Sequence, residues 1–288
     1  MKERNIIQRN YYKDFVRNTF KTPSFLIPFI TLILIFICGF AFNYFIDLEC
    51  YLSINLDNQF IKPCLKYPFG TNAFGQSQFH LILIGAYKTL LLAFIATFVN
   101  LLIGIIIGVL WGLSSKVDSF MFVIKNLVDN IPVVFLYIII ISLLGDGFIP
   151  LLLVVVLFGW IDTATIIRNN IMILKTKDYN KVSKLYNVST FKIAKNNYIP
   201  SILPILANRI ALCIPQIIAI EITVSYFGFS LGNNNTSLGI LLYNSISNNN
   251  YFSYPHLFVF PFLFLFIINL CIFFIGKSIS NNFTKEEF

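Results

Sequence analysis

Charged residues are scarce in this chain. Asp, Glu, Lys and Arg make up 12% of its 288 residues, whereas 57% of the residues are hydrophobic. The mean hydropathy is +0.77. A soluble domain of this length does not need so much apolar surface. The composition therefore argues against a soluble globular protein and predicts that the chain lies in a lipid bilayer.

Complete catalytic and metal-binding motifs are also missing. Gly228–Gly232 matches the G-x-S-x-G pattern, but no acidic residue lies between Ser230 and His256, so the usual order of a serine hydrolase fails. Gly276-Lys277-Ser278 resembles the end of a phosphate loop, but Cys271 stands where its first Gly should be. No Cys/His cluster has metal-ligand spacing. The sequence therefore predicts no catalytic residue, no cofactor and no metal site.

Long hydrophobic runs are what the chain has instead. Each is close to the roughly 20 apolar residues that cross about 30 Å of hydrocarbon as an α-helix. We therefore predict an all-α membrane protein with six transmembrane helices. The runs are Phe25–Phe45, Leu90–Leu113, Phe120–Leu144, Pro150–Ile167, Ile202–Phe227 and Leu257–Ile275.

Lys and Arg are unevenly distributed between the loops, and in membrane proteins they concentrate on the cytoplasmic side. If the helices alternate in direction, the N-terminal arm, the loop after the fourth run and the C-terminus lie on the same side of the membrane. These segments carry most of the Lys and Arg residues. The other side has Lys62 and Lys66, with Lys88 at the mouth of the second run. We therefore predict cytoplasmic termini, and the net charge of +8 needs no nucleic acid to explain it.

The polar loops divide the chain into two parts. Residues 1–80 would hold a cytoplasmic arm, the first helix and an external loop, and residues 81–288 a five-helix core. The core contains a cytoplasmic loop, 175–200, within a basic polar insert that interrupts the hydrophobic runs. Cys50 and Cys64 share the external loop and could pair in an oxidising compartment, but spacing alone does not decide this.

Several short motifs resemble, in the same order, those of permease subunits of type I ATP-binding-cassette importers. The likeness is to the second permease (C-type subunit) of dipeptide, oligopeptide and nickel systems, and it covers most of the chain. The segments that carry it are Phe69–Gly75, Asp129 with Pro132, Gly159-Trp160 with Arg168, Glu221 with Ser225–Gly228, and Asn269–Ser278.

The resemblance implies a subunit that forms, with a second homologous permease, the path for short peptides across a bacterial cytoplasmic membrane. Two ATP-binding subunits would hydrolyse ATP, and an external binding protein would deliver the peptide. The chain itself would be no enzyme. Nickel or antimicrobial peptides stay open as substrates of the same type of complex. A stand-alone secondary transporter or channel is the rival, but we detect no inverted repeat of helices.

The loop 175–200 resembles the family's coupling loop, which in that family contacts the ATPase. We expect the fourth helix to continue to Tyr186 and to stop at Asn187, because Asn tolerates the left-handed conformation that Gly usually supplies. Ser189 would then cap a second helix, Thr190 to about Tyr198. A helix lying on the membrane surface is the alternative.

In that second helix, Phe191, Ala194 and Tyr198 recur at helical spacing and would form a knob for a groove on the ATPase. The residues predicted to couple to the ATPase are Asp178, Lys181, Asn187, Ser189, Thr190, Phe191, Ala194, Lys195 and Tyr198.

Three carboxylates, Asp129, Asp162 and Glu221, lie in or near the hydrophobic runs. A buried carboxylate is costly in a membrane, so each should face the bundle interior or a watery cavity. They would line or gate the translocation path. Alternatively, they pair with cations and hold helices together, and the cations within reach are Lys125, Arg168 and Arg209.

The predicted topology can be tested by labelling single cysteines at Ser183 and Asn234 in a chain without native Cys. The two positions should react from opposite sides of the membrane, because the Lys and Arg distribution places them in a cytoplasmic and an external loop. An impermeant maleimide applied to either side measures this. Reaction of both cysteines from the same side would contradict the six-helix topology.

Overall fold

The computed structural model describes residues 19–45, 53–231, 236–247 and 250–285. These ranges are almost entirely helical and contain no β-strand, which confirms the all-α fold. A π-helical segment, Ala194–Tyr198, joins α7 to α8. The helices are α1 Pro23–Tyr44, α2 Gln78–Leu113, α3 Ser115–Asp129, α4 Val133–Leu144, α5 Phe148–Thr176, α6 Asp178–Leu185, α7 Thr190–Ile193, α8 Ile199–Tyr226, α9 Leu238–Ser247, α10 Asn250–Ser253 and α11 His256–Lys285.

Five described helices are long and apolar enough to cross a membrane, and the number becomes six if α3 and α4 are one broken span. The predicted third helix, Phe120–Leu144, is therefore not continuous. Its two halves are bent by 84°, and Pro132 occupies the N-cap of α4. Proline has no N–H and its ring clashes with the preceding turn, so it interrupts a helix here.

The predicted extension of the fourth helix to Tyr186 is wrong. Helix α5 ends at Thr176, because Lys177 adopts an extended conformation with ψ of 136°. A new helix, α6, starts at Asp178. The basic insert thus begins with a separate helix and is not a straight extension of α5.

Helix α1 packs into the same bundle as the helices of the core. Thr22 Oγ1 lies 3.0 Å from Ser278 Oγ of α11, and Thr31 Oγ1 lies 3.0 Å from Cys271 Sγ. The predicted division between residues 80 and 81 falls within α2. The pairing of Cys50 with Cys64 stays undecided, because Cys50 lies outside the described residues.

Helices α2 and α5 approach each other along a row of glycines. Gly104, Gly108 and Gly112 lie one turn apart on α2. A Cβ atom at Gly108 would lie 2.8 Å from the carbonyl oxygen of Ala164, and one at Gly112 would lie 2.8 Å from Cβ of Ile171. Small residues allow two membrane helices to pack backbone to backbone and to gain van der Waals contact.

We expect Gly108→Val to destabilise the bundle, because the two added methyl groups and the new Cβ have no space against α5. Overpacking of this kind costs about 1–3 kcal/mol. Thermal unfolding of the detergent-purified protein should show a lower midpoint than that of the unmodified chain. Leu110→Val is the matched control, since Leu110 is 55% exposed on the outer face of α2. Equal midpoints for both variants would contradict close α2–α5 packing.

Candidate functional site

The coupling segment, residues 178–198, consists of α6, α7 and the π-helical segment. Asn187 has φ of +53°, which confirms the predicted left-handed residue after α6. Ser189 occupies the N-cap of α7, as predicted, but its side chain makes no capping hydrogen bond. Its carbonyl oxygen accepts the Ile193 N–H at 3.1 Å, which is the first backbone bond of the helix. The joint therefore has the predicted position but lacks the predicted capping bond.

One side of the coupling segment is locked to the bundle. Ala194 and Tyr198 are 2% and 0% exposed, and they share an apolar cluster with Ile167 and Ile171 of α5. The predicted knob of Phe191, Ala194 and Tyr198 therefore does not form. The helix continues through the π-helical segment into α8 without interruption, and this continuity turns positions 194 and 198 toward α5. Burial raises the pKa of Tyr198 above its ordinary range.

Two asparagines fasten this locked side further. Asn197 Nδ2 donates to Asn180 Oδ1 at 2.7 Å, and Asn180 Nδ2 donates to the carbonyl oxygen of Leu174 at 2.8 Å. Asn180 is fully buried. The two bonds tie the end of α5, helix α6 and the π-helical segment into one unit.

The opposite side of the coupling segment is apolar and exposed. We name it the exposed coupling face and define it as Val182, Leu185, Tyr186 and Phe191, of which the last three are 82%, 80% and 78% exposed. Thr190 and Lys195 are also exposed. Lys181 Nζ lies 3.1 Å from Asp178 Oδ1, and both side chains are largely exposed. Such a surface outside the long apolar helices is suited to a protein partner.

A central cavity of about 340 Å³ lies between α2, the α3–α4 break, α5 and α8. Asp129 and Asp162 both line it, as does Arg209, whereas Glu221 does not. In secondary transporters, substrate sites lie at broken helices. Two of the three predicted carboxylates therefore line the same cavity.

Both of these carboxylates have cation partners. Lys125 pairs with Asp129 one turn away on α3, and Arg209 of α8 lies 3.5 Å from Asp162 of α5. Arg168, a third candidate partner, pairs elsewhere. Its Nε and Nη2 donate to the two oxygens of Asp118, each at 2.8 Å, and Trp111 Nε1 also donates to that carboxylate at 2.7 Å.

Glu221 lies where α8 meets α9. It is fully buried, and Ser225 Oγ donates to its Oε1 at 3.1 Å. A Cβ atom at Gly239 of α9 would lie 2.8 Å from the same oxygen. Its position therefore favours holding α9 against α8 over lining the central cavity.

Several residues that lie at these sites were not predicted from the sequence. Asn100 lines the central cavity, and its signal is a polar amide in the middle of an apolar run. Val182, Leu185 and Tyr186 have helical spacing within the basic insert, which is the signal of an apolar face. Within the described ranges, no group of three or more His, Cys, Asp or Glu residues could hold a metal.

Comparison with known proteins finds relatives among transport permeases. The chain is 29% identical to the oligopeptide transport system permease protein AmiD of Streptococcus pneumoniae, over 94% of this chain and 89% of that protein. It is 28% identical to the dipeptide transport system permease protein DppC of Lactococcus lactis, over 76% and 63% of the two chains. It is 28% identical to the oligopeptide transport system permease protein OppC of Escherichia coli, over 60% of this chain and 56% of that protein.

A family match covers more than half of the chain. Residues 100–285 match the family described as "Binding-protein-dependent transport system inner membrane component". This result and the relatives confirm the predicted resemblance to a C-type importer permease. They also agree with the long apolar helices of the structure. The family and the relatives are transport subunits and not enzymes. The chain therefore belongs to the binding-protein-dependent transport system inner membrane component family, as a multi-pass membrane permease.

Proposed function

We propose that this chain is one of two permease subunits that form the path for short peptides in an importer driven by ATP. A second, homologous permease would complete the path, and an external binding protein would deliver the peptide. The support for peptides as substrates is that the relatives described above are named for oligopeptide or dipeptide transport. Those names favour peptides over nickel.

Two ATP-binding subunits would hydrolyse the ATP, and this chain would hold no nucleotide or other cofactor. The observation that carries this proposal is the two-sided coupling segment. Its buried side is bonded to α5 and continuous with α8, whereas its exposed coupling face is free to dock. A push on that face would move α5 and α8, which are two of the helices that border the central cavity. The segment would lie in the cytoplasm, together with both termini, in a bacterial cytoplasmic membrane.

Reconstitution of the complex in proteoliposomes tests the proposed class. Uptake of a short peptide should require the binding protein and ATP on the side of the ATPase subunits, and the isolated chain should hydrolyse no ATP. Peptide uptake by the isolated chain, driven by an ion gradient without ATP, would favour the stand-alone transporter instead.

Phe191→Asp should weaken the association of the ATPase subunits, because it places a charge on the exposed coupling face. Loss of an aromatic anchor at an interface costs about 2 kcal/mol or more. Co-purification of the ATPase subunits with the permease measures the effect. Phe252→Asp is the matched control, since Phe252 is 81% exposed and lies outside the coupling segment. If the ATPase subunits co-purified equally with both variants, the proposed docking at the exposed coupling face would be wrong.

Asn187→Pro should uncouple ATP hydrolysis from uptake while the complex still assembles. Proline fixes φ near −65°, whereas Asn187 has φ of +53°, so the joint between α6 and α7 must change direction. Asn187→Gly is the control, because glycine adopts positive φ readily. The number of peptides imported per ATP hydrolysed is the measurement. A ratio equal to that of the unmodified complex for Asn187→Pro would exclude this joint from coupling.

A further inference from the structure

The central cavity has an uneven arrangement of charge. Among the described residues, the acidic and basic side chains that line it are those of Asp129, Asp162 and Arg209. The side chain of Asp162 is 65% exposed, whereas that of its partner Arg209 is 8% exposed. The side chain of Asp129 is 50% exposed and that of its partner Lys125 is 23% exposed. Each carboxylate is therefore more exposed than its cation partner.

Arg209 leaves much of the hydrogen-bonding capacity of Asp162 unused. Its Nη2 lies 3.5 Å from one oxygen of Asp162, which is a long contact. Its Nε donates to Thr163 Oγ1 at 3.3 Å. An ionised carboxylate has about four acceptor sites. Asp162 can therefore accept hydrogen bonds from a further donor in the cavity.

Asn100 supplies a second, independent observation. It lines the same cavity and is 2% exposed, yet its Oδ1 has no hydrogen-bond partner among the described residues. Its amide is packed against α5, because a Cβ atom at Gly159 would lie 2.3 Å from Asn100 Nδ2. A buried acceptor without a partner is unfavourable until a donor reaches it.

We propose that the central cavity binds a primary ammonium group of the transported molecule, and that in a peptide this is the free N-terminal amino group. An ammonium group has three donors and no acceptor. Asp162 provides the opposite charge, and Asn100 Oδ1 accepts a hydrogen bond. This inference rests on the proposed peptide function and adds the chemical group that the path recognises.

The charge preference can be measured with a cysteine in the cavity. Ala219 is exposed and lines the cavity, so Ala219→Cys in an assembled complex whose permease lacks native Cys serves as the reporter. The probes are cationic 2-aminoethyl and anionic 2-sulfonatoethyl methanethiosulfonate, each corrected for its rate with a free thiol. We expect the cation to react about tenfold faster at low salt. A ratio of one, or a ratio that favours the anion, overturns the proposal.

Variants of the carboxylate assign the preference to its source. Asp162→Asn should lower the ratio severalfold, and Asp162→Glu should restore it because the charge returns. Asp57→Asn is the matched control, since Asp57 is exposed outside the cavity and should leave the ratio unchanged. If Asp162→Asn does not assemble, the salt dependence of the ratio in the reporter complex still tests the charge. A ratio that Asp162→Asn leaves unchanged overturns the role of Asp162.

Protection by peptides tests the ligand class. Trialanine at millimolar concentration should slow labelling of the reporter, whereas Nα-acetyl-trialanine should not, and Asn100→Ala should abolish the difference. Equal protection by both peptides, or by neither, overturns the proposal. Labelling does not require transport. Peptide uptake that persists without this selectivity therefore refutes the present inference alone, whereas loss of ATP-dependent uptake with intact selectivity counts against the proposed function.

Discussion

The close contact between α2 and α5 is the constraint on which both candidate sites depend. Glycines on α2 let the two backbones approach, so the relative position of the helices is fixed along their length. At one end of this contact, Asn100 packs against Gly159 beside the central cavity. At the other end, Gly112 meets Ile171, which belongs to the cluster that holds the coupling segment. A movement of the coupling segment therefore has a stiff connection to the cavity.

Irregular backbone occurs at both candidate sites. The α3–α4 break borders the central cavity, and in a membrane such backbone is tolerated where it lines a cavity or is buried in protein. The π-helical segment, Ala194–Tyr198, lies where the coupling segment becomes α8. π-helical turns are uncommon and frequently occur at functional sites. Each irregularity lies at one end of the proposed mechanical connection.

Sequence alone was sufficient for the features that follow from local chemistry. Apolar runs gave the long helices, and Asn187 was predicted to be left-handed from its side chain. The orientation of Ala194 and Tyr198 could not be predicted, because it depends on the continuity of the helix with α8 and on its contact with α5. The hydrogen bond between Asn180 and Asn197 could not be predicted either, because the chain is rich in Asn and nothing distinguishes these two from the others. Tertiary contacts decide these features, and they leave no periodic signal.

Two ion pairs in the bundle show how similar residues serve different ends. Arg168 binds Asp118 through two bonds of 2.8 Å with Trp111 as a further donor, so the carboxylate is well satisfied and joins α3 to α5. Arg209 and Asp162 are 3.5 Å apart, with the cation buried and the carboxylate largely exposed. A pair that served only to hold helices would need good geometry to offset the desolvation of the buried Arg209. In the looser pair, Asp162 retains acceptor capacity at the cavity, which suits the proposed recognition of an ammonium group.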